Sequence, residues 1–362
     1  MMKRRELLAG GIALGAVGAL AGCAAPKVRP AIAPASADAA PLRRIAFASC
    51  IDQNKREQPI WDTVLADQPD LFIFGGDNVY CPVPYSLANL RRAYAMAVEQ
   101  PGMARLRRTV PHMAIWDDHD YGSNDGGAEF AYKGESKTEF LEFWKVPAND
   151  PRRGRDGLYH AQVFGPPGQR VQVILLDARW FRSPWKVTDQ RNAPGKERFV
   201  PDTDANKTML GEAQWGWLEA QLREPAQVRL IVSGVQVVTE GHGWERWGNF
   251  PLQRERLYKL VAHTRAQGVV FLSGDRHIGA LYREEAGTPY PFYELTSSGV
   301  THPWRDAVEA GPNRLGDLFK EQHYGAVEID WDAKALRLAV KDIAGAPARS
   351  RLIAFNELEV RT

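Results

Sequence analysis

The sequence predicts a layered α/β fold, on three observations. Short apolar runs, Leu71-Phe72-Ile73-Phe74 among them, alternate with longer stretches of amphipathic spacing from residue 43 onward. Uninterrupted apolar runs suit strands covered on both faces, whereas a strand with one wet face alternates in polarity. The last runs, around Tyr293, Ala326, Leu336 and Ile353, succeed one another without helical spacing, which predicts an antiparallel edge or a second sheet packed on the first. Several runs also stop at small residues and then present carboxylates or imidazoles, and in open α/β sheets ligands bind beyond the carboxyl ends of the strands.

At the amino end, Lys3-Arg4-Arg5 precede an uncharged run from Leu7 to Leu20, too short to span a bilayer and laid out as an export signal. The run closes on Leu20-Ala21-Gly22-Cys23, which resembles a bacterial lipobox, and lipidation of Cys23 would tether the chain to a membrane. Arg4-Arg5 followed by Glu6-Leu7-Leu8 looks like a twin-arginine signal, with Lys3 where Ser or Thr is usual. Residues 1–22 are therefore expected to be an export signal, and the protein a periplasmic or cell-envelope lipoprotein. A plain cleaved signal is the alternative. The Ala/Pro-rich stretch 23–42 cannot bury enough surface to order itself and reads as a tether.

The chain has 362 residues, 44% hydrophobic and 25% charged, as an ordinary globular protein does. Removing 1–22 takes three basic groups and one acid from totals of 46 and 44, which leaves the two signs balanced. A balanced chain has no polybasic field, so no nucleic-acid-binding surface is expected.

Strands are expected at 44–48, 71–74, 113–116, 171–176, 228–233 and 268–273. Amphipathic spacing places helices at 59–66, 87–98, 137–143, 211–222 and 252–266. Trp215 and Trp217, two apart in one of these helices, cannot share a face. Residues 183–208 lack periodicity and are rich in charge and Pro, which predicts a long surface loop, either a variable insertion or an element that lids or selects substrate. Segment 240–247 carries Trp244 and Trp247 on a Gly-broken loop; the rings either line an entrance or pack beneath the loop. No Pro/Gly/Ser linker divides 43–362, so one domain is expected there.

The strand ends carry the chemistry. The first run ends Ala48-Ser49-Cys50, the second Gly76-Asp77-Asn78-Val79-Tyr80, and the third enters Trp116-Asp117-Asp118-His119-Asp120-Tyr121-Gly122. The run before Ser273 ends Ser273-Gly274-Asp275-Arg276-His277. Crowded carboxylates raise one another's pKa or need a cation, which makes these ends a candidate two-metal site. With Leu176-Asp177-Ala178-Arg179 and Ser233-Gly234-Val235-Gln236, the ordered set resembles the alkaline phosphatase D (PhoD-like) branch of the calcineurin-like metallophosphoesterases over nearly all of 43–300.

That resemblance implies a metallophosphoesterase sandwich of two mixed β-sheets flanked by helices, filling 43–362, and hydrolysis of phosphate esters by a hydroxide held between two cations. Position by position, it implies Asp77 as the bridging carboxylate, Tyr80 as a phenolate ligand, Cys50 as a thiolate ligand and His277 on the same side. Asp118 and Asp275 make the second site rich in oxygen. The implied ions are Fe3+ with Ca2+, with Mg2+, Mn2+ or Zn2+ as alternatives. His119 would protonate the leaving alkoxide, Asp120 would orient its imidazole, and Arg179 and Arg276 would either clamp phosphate oxygens or pair with nearby acids. Gln236 either reaches the second metal or satisfies buried groups. The substrate would be a small phosphate ester or a phospholipid.

Three alternatives stay open. Cys50 and Cys81 could form a disulfide in place of a thiolate ligand. A Ser hydrolase of the Gly-Asp-Ser kind would explain Gly76-Asp77, but Asn78 stands at the nucleophile position and no Gly-x-Ser-x-Gly elbow occurs. An exported lipoprotein that binds a solute or metal without catalysis fits the signal but leaves His119 between two acids unexplained.

Overall fold

The computed structural model describes residues 40–360. The expected export signal, Cys23 and most of the tether lie outside the described residues. Packing already begins at Leu42, which joins the core and whose carbonyl accepts a hydrogen bond from Trp331 Nε1.

Twelve strands are described: β1 (Arg44–Ala48), β2 (Leu71–Gly75), β3 (His112–Ile115), β4 (His160–Phe164), β5 (Val171–Leu175), β6 (Val228–Ser233), β7 (Val269–Ser273), β8 (Gly279–Glu284), β9 (Phe292–Ser297), β10 (His323–Asp330), β11 (Ala335–Asp342) and β12 (Pro347–Ala354). They form two six-stranded mixed sheets, ordered β12-β11-β10-β1-β2-β3 and β4-β5-β6-β7-β9-β8. In the first, β1, β2 and β3 run parallel and β10 joins β1 antiparallel. In the second, β5, β6, β7 and β9 run parallel, with β4 and β8 antiparallel at the edges. Gly325 in β10 lies against Leu295 and Ser297 of β9, so the two sheets face each other.

Helices cover the outer faces. α1 (Ile60–Ala66), α2 (Leu87–Glu99), α3 (Pro101–Thr109), the single turn α4 (Asp118–Tyr121) and α5 (Lys133–Phe143) belong to the first half, and α6 (Gly211–Leu222) and α7 (Pro251–Thr264) to the second. Trp61 of α1 packs on Phe72 and Phe74, at 5.8 and 6.4 Å between ring centroids. Tyr258 of α7 packs on Phe292 at 5.1 Å. The uninterrupted apolar runs are thus strands enclosed on both faces. Trp215 of α6 turns to the core beside Trp247, while Trp217 lies outward against Tyr159.

Elements expected from the runs fall within two residues of the observed ones, except that α5 begins four residues earlier. Four elements were not foreseen: α3, where Pro101 opens a helix broken in pattern by Gly102, the single turn α4, and two edge strands, β8 and the half-buried β4. Loop 183–208 holds no helix or strand and is joined by two isolated bridges, Val187 with Phe199 and Ala193 with Lys196. Among the described residues no helix is long and apolar enough to cross a membrane.

Candidate metal centre

The carboxyl ends of β1, β2, β3, β6 and β7 meet along one rim. Beyond the sheet, Cys50 N donates to Gly76 O (3.3 Å), Ile51 N to Asp77 O (2.8 Å) and Gly274 N to Gly234 O (2.9 Å). These bonds lock one strand end against the next, so the residues that follow are fixed by backbone. Gly76, at φ +110°, brings its Cα so near Asp117 that a Cβ would stand 2.5 Å from the Asp117 Cβ; Gly234 closes on the Asp117 carboxylate from the other sheet. Only glycine permits both approaches.

Asp77 is the hub. Its Oδ2 accepts from Tyr80 OH (3.3 Å) and Cys50 Sγ (3.5 Å), and its Oδ1 accepts from His119 N (3.1 Å). Asp77, Asp118 and His119 offer ligand atoms within 4.8 Å of one another, as do Asp117, Asp118 and Asp275. Asp118 Oδ2 accepts from Asp125 N (2.7 Å), while Asp118 Oδ1 and Asp117 Oδ2 are buried without a hydrogen-bond partner. His277 is half-buried, with Nδ1 3.2 Å from His302 O; a proton donated there leaves Nε2 free as a ligand. Cys50, Asp77, Asp275 and His277 hold left-handed backbone, at φ 59°, 49°, 65° and 55°. Four such residues in one rim store strain of order 1 kcal/mol each, a pattern found at functional sites.

Electrostatics point the same way. Burial, then neighbouring carboxylates, push Asp77 well above the usual carboxylate range, and burial with Glu245 does the same to Asp275. Asp117 rises to about 7 through burial, although Arg179 opposes it. Asp118 is held below the ordinary range because His119, Arg179 and the Asp125 N–H outweigh its burial. Without cations the cluster strains against its own charge. Unpartnered oxygens, a buried thiol, a phenol and an imidazole make a donor set that fits metal ions: the soft thiol and the imidazole beside a hard phenol suit a borderline or trivalent transition metal, the carboxylates an oxygen-loving ion.

The other expected residues are placed differently. Asp120 does not orient the His119 imidazole: Asp120 Oδ1 accepts from Asp117 N (2.7 Å) and Oδ2 from Asn78 N (3.2 Å) and Nδ2 (2.6 Å). The turn of α4 points Asp120 inward, where it braces the β2 and β3 ends. Arg179 is wholly buried, with Nε on Asp117 (2.6 Å) and Nη1 and Nη2 on Glu245 (2.6 and 2.9 Å). Arg276 turns Nε and Nη2 to Glu309. Both guanidiniums thus make internal ion pairs. Gln236 bonds to Tyr282, Thr296 and His242, which is the satisfying role. Cys50 and Cys81 are both free thiols, so the disulfide alternative is not formed. Trp247 is core, whereas Trp244 is half-exposed against Trp304 at 5.5 Å.

Sequence reasoning passed over His302, Asp125 and Glu245. The His302 ring lies edge-on 4.9 Å from that of Tyr80 and tilted 4.4 Å from that of His277. Thr301 Oγ1 donates to Cys50 O (3.0 Å), so its contact with His302 Nδ1 (2.8 Å) receives the imidazole proton. The signal was there: Thr301-His302 follows β9 as Arg276-His277 follows β7. Glu245, on a Gly-broken loop, gave none.

A family description, PhoD-like phosphatase, matches residues 45–338. Alkaline phosphatase D of Bacillus subtilis (strain 168) is 23% identical over 283 residues, covering 67% of this chain and 47% of that protein. The chain thus spans about half the length of that curated relative. The solved structure of PhoD superposes with a TM-score of 0.70 at 16% identity, over 91% of this chain and 72% of that one. Purple acid phosphatase PPD1 from yellow lupin (Lupinus luteus) seeds gives 0.57 at 13% identity, over 90% and 56%. The fold is theirs, and the chain belongs to the PhoD-like phosphatase family.

Proposed function

We propose that this protein hydrolyses phosphate esters with two metal ions held at the strand ends. Cys50, Asp77, Tyr80 and His277 would hold one, and Asp77, Asp118 and Asp275 the other. The observation that carries the reading is the pair of buried carboxylate oxygens without partners, Asp117 Oδ2 and Asp118 Oδ1, inside a cluster with excess negative charge. When bound, the cations supply Lewis acidity at phosphorus and an activated water.

The chain's own residues do the rest. His119 would pass a proton to the departing alkoxide; its half-burial, its backbone N–H on Asp77 and its ring 4.1 Å from that of Tyr80 support the role. Asp117, fixed by Arg179, keeps the α4 turn in register beneath it. Iron with calcium is the metal pair we favour, with magnesium, manganese or zinc as substitutes. Substrates are monoesters or diesters, phospholipids included, met outside the cytoplasm if residues 1–22 direct export and Cys23 is lipidated.

Asp77→Asn, reloaded with metal, is expected to lose turnover of a chromogenic phosphate ester by at least about a hundredfold while keeping its fold. Retained turnover would overturn the reading, and so would a metal-loaded wild type that cleaves no ester, which would leave a metal-binding lipoprotein. Two zinc ions in the native protein would remove the roles given to Cys50 and Tyr80.

A further inference from the structure

Both arginines that the strand ends supply have closed their donor forks on the protein, Arg179 on Asp117 and Glu245, Arg276 on Glu309. A third guanidinium reaches the same rim from loop 183–208. Arg198 Nη1 pairs with Asp125 Oδ2, and Asp125 N donates to the proposed ligand Asp118. The Arg198 guanidinium lies 5.0 Å from the Trp244 ring centroid; that of Arg276, next to Asp275 and His277, lies 4.7 Å from the same ring. Arg198 is thus held on the Asp118 side of the centre through Asp125 and shares the Trp244 ring with Arg276.

Its loop is bolted down. Ser183 N donates to Thr208 O (2.9 Å) at the base, and Arg198 N and Phe199 N both donate to Gly243 O (3.0 and 2.7 Å). Trp185 stacks on Phe250 at 4.6 Å. Among the described residues, Arg198 Nε and Nη2 have no protein partner, and the side chain is 32% exposed. Nε–H and Nη2–H share one edge of the guanidinium plane and point in parallel, the geometry that grips two oxygens of an oxyanion.

We propose that Arg198 is a substrate-binding residue whose Nε and Nη2 take two non-bridging oxygens of a phosphate group seated at the strand ends. The inference rests on the phosphoesterase reading and deepens it. It gives the loop a role in affinity and provides the cation that a carboxylate-lined rim needs to admit an anion. Asp125 aims the fork by holding the opposite edge, and Trp244 fixes its plane.

The test is titration of inorganic phosphate into the metal-loaded protein, beside steady-state kinetics on p-nitrophenyl phosphate, for wild type, Arg198→Ala and Arg198→Lys. Arg198→Ala is expected to weaken phosphate and raise KM by about tenfold or more, with kcat within about threefold, as loss of a charge-assisted pair requires. Arg198→Lys keeps a charge beside Asp125 but not the fork, and is expected to regain only a minor part. Phosphate affinity within about threefold of wild type in Arg198→Ala, full rescue by Lys, or no phosphate binding by wild type would each overturn the proposal. Arg198-dependent phosphate binding in a protein that turns over no ester would support Arg198 and sink the hydrolytic reading instead.

Discussion

The strand ends of the two sheets look alike in sequence and differ in how their polar groups are satisfied. Beyond β2 and β3, Asp77, Asp117 and Asp118 crowd together, and Asp117 Oδ2 and Asp118 Oδ1 are left without a partner. Beyond β5 and β6, Arg179 and Gln236 have bonded themselves to neighbours, and Arg276 beyond β7 has taken Glu309. A buried polar group whose bonds are filled by protein holds the fold; one left open is available to a ligand. Position at a strand end makes a residue a candidate, and the open oxygens of Asp117 and Asp118 mark which end of the molecule has room for a ligand.

The largest effect expected from that contrast is at Arg179. Arg179→Met leaves Asp117 and Glu245 as buried charges without their partner, and should cost about 3–5 kcal/mol in denaturant unfolding, with or without metal. A loss under about 1 kcal/mol would mean Arg179 is not the brace it looks to be.

A second effect lies at the far end of β3, where His112 is 4% exposed with Nδ1 3.0 Å from Val110 O. Burial pushes its imidazole down to about 4. The unfolded chain, with an ordinary His pKa near ~6.5, binds the proton first, so this stability is complete above pH ~6.5 and is lost as pH falls toward 4. The window is worth up to about 3 kcal/mol, and His112→Gln should flatten that slope in stability-against-pH curves while leaving the neutral-pH fold in place.

The smallest effect has the opposite sign. In the metal-free protein Asp275→Asn removes one of several crowded charges and puts a residue that tolerates left-handed backbone at φ 65°, so it should gain about 1 kcal/mol while losing metal. Destabilisation of the metal-free protein would show that the cluster is held by bonds and not waiting for cations.

Much of the fold was legible because enclosed strands carry an unmistakable pattern: β2 is Leu71 to Phe74 followed by glycine, and β6 and α6 were read to the residue. Helix α3 was not, since Pro101-Gly102 opens it and three arginines follow within eight residues. The site was legible as a set of strand ends but not in its detail. Whether Asp120 faces His119 or Asn78 depends on the rotation of one turn of α4, and whether Arg179 faces substrate or Glu245 depends on a loop 66 residues away. No local pattern records such long-range pairings. Arg198 was hidden for the same reason, inside a loop without period.

The left-handed backbone at Cys50, Asp77, Asp275 and His277 has a consequence for how this protein can be altered. At each of these positions glycine would sit more comfortably than the residue present, by roughly 1 kcal/mol. A laboratory selection that rewards heat resistance alone would therefore find relief of backbone strain at the four places where the proposed ligands stand. Its winners would be sturdier and inert, a trade between endurance and activity concentrated in four φ angles.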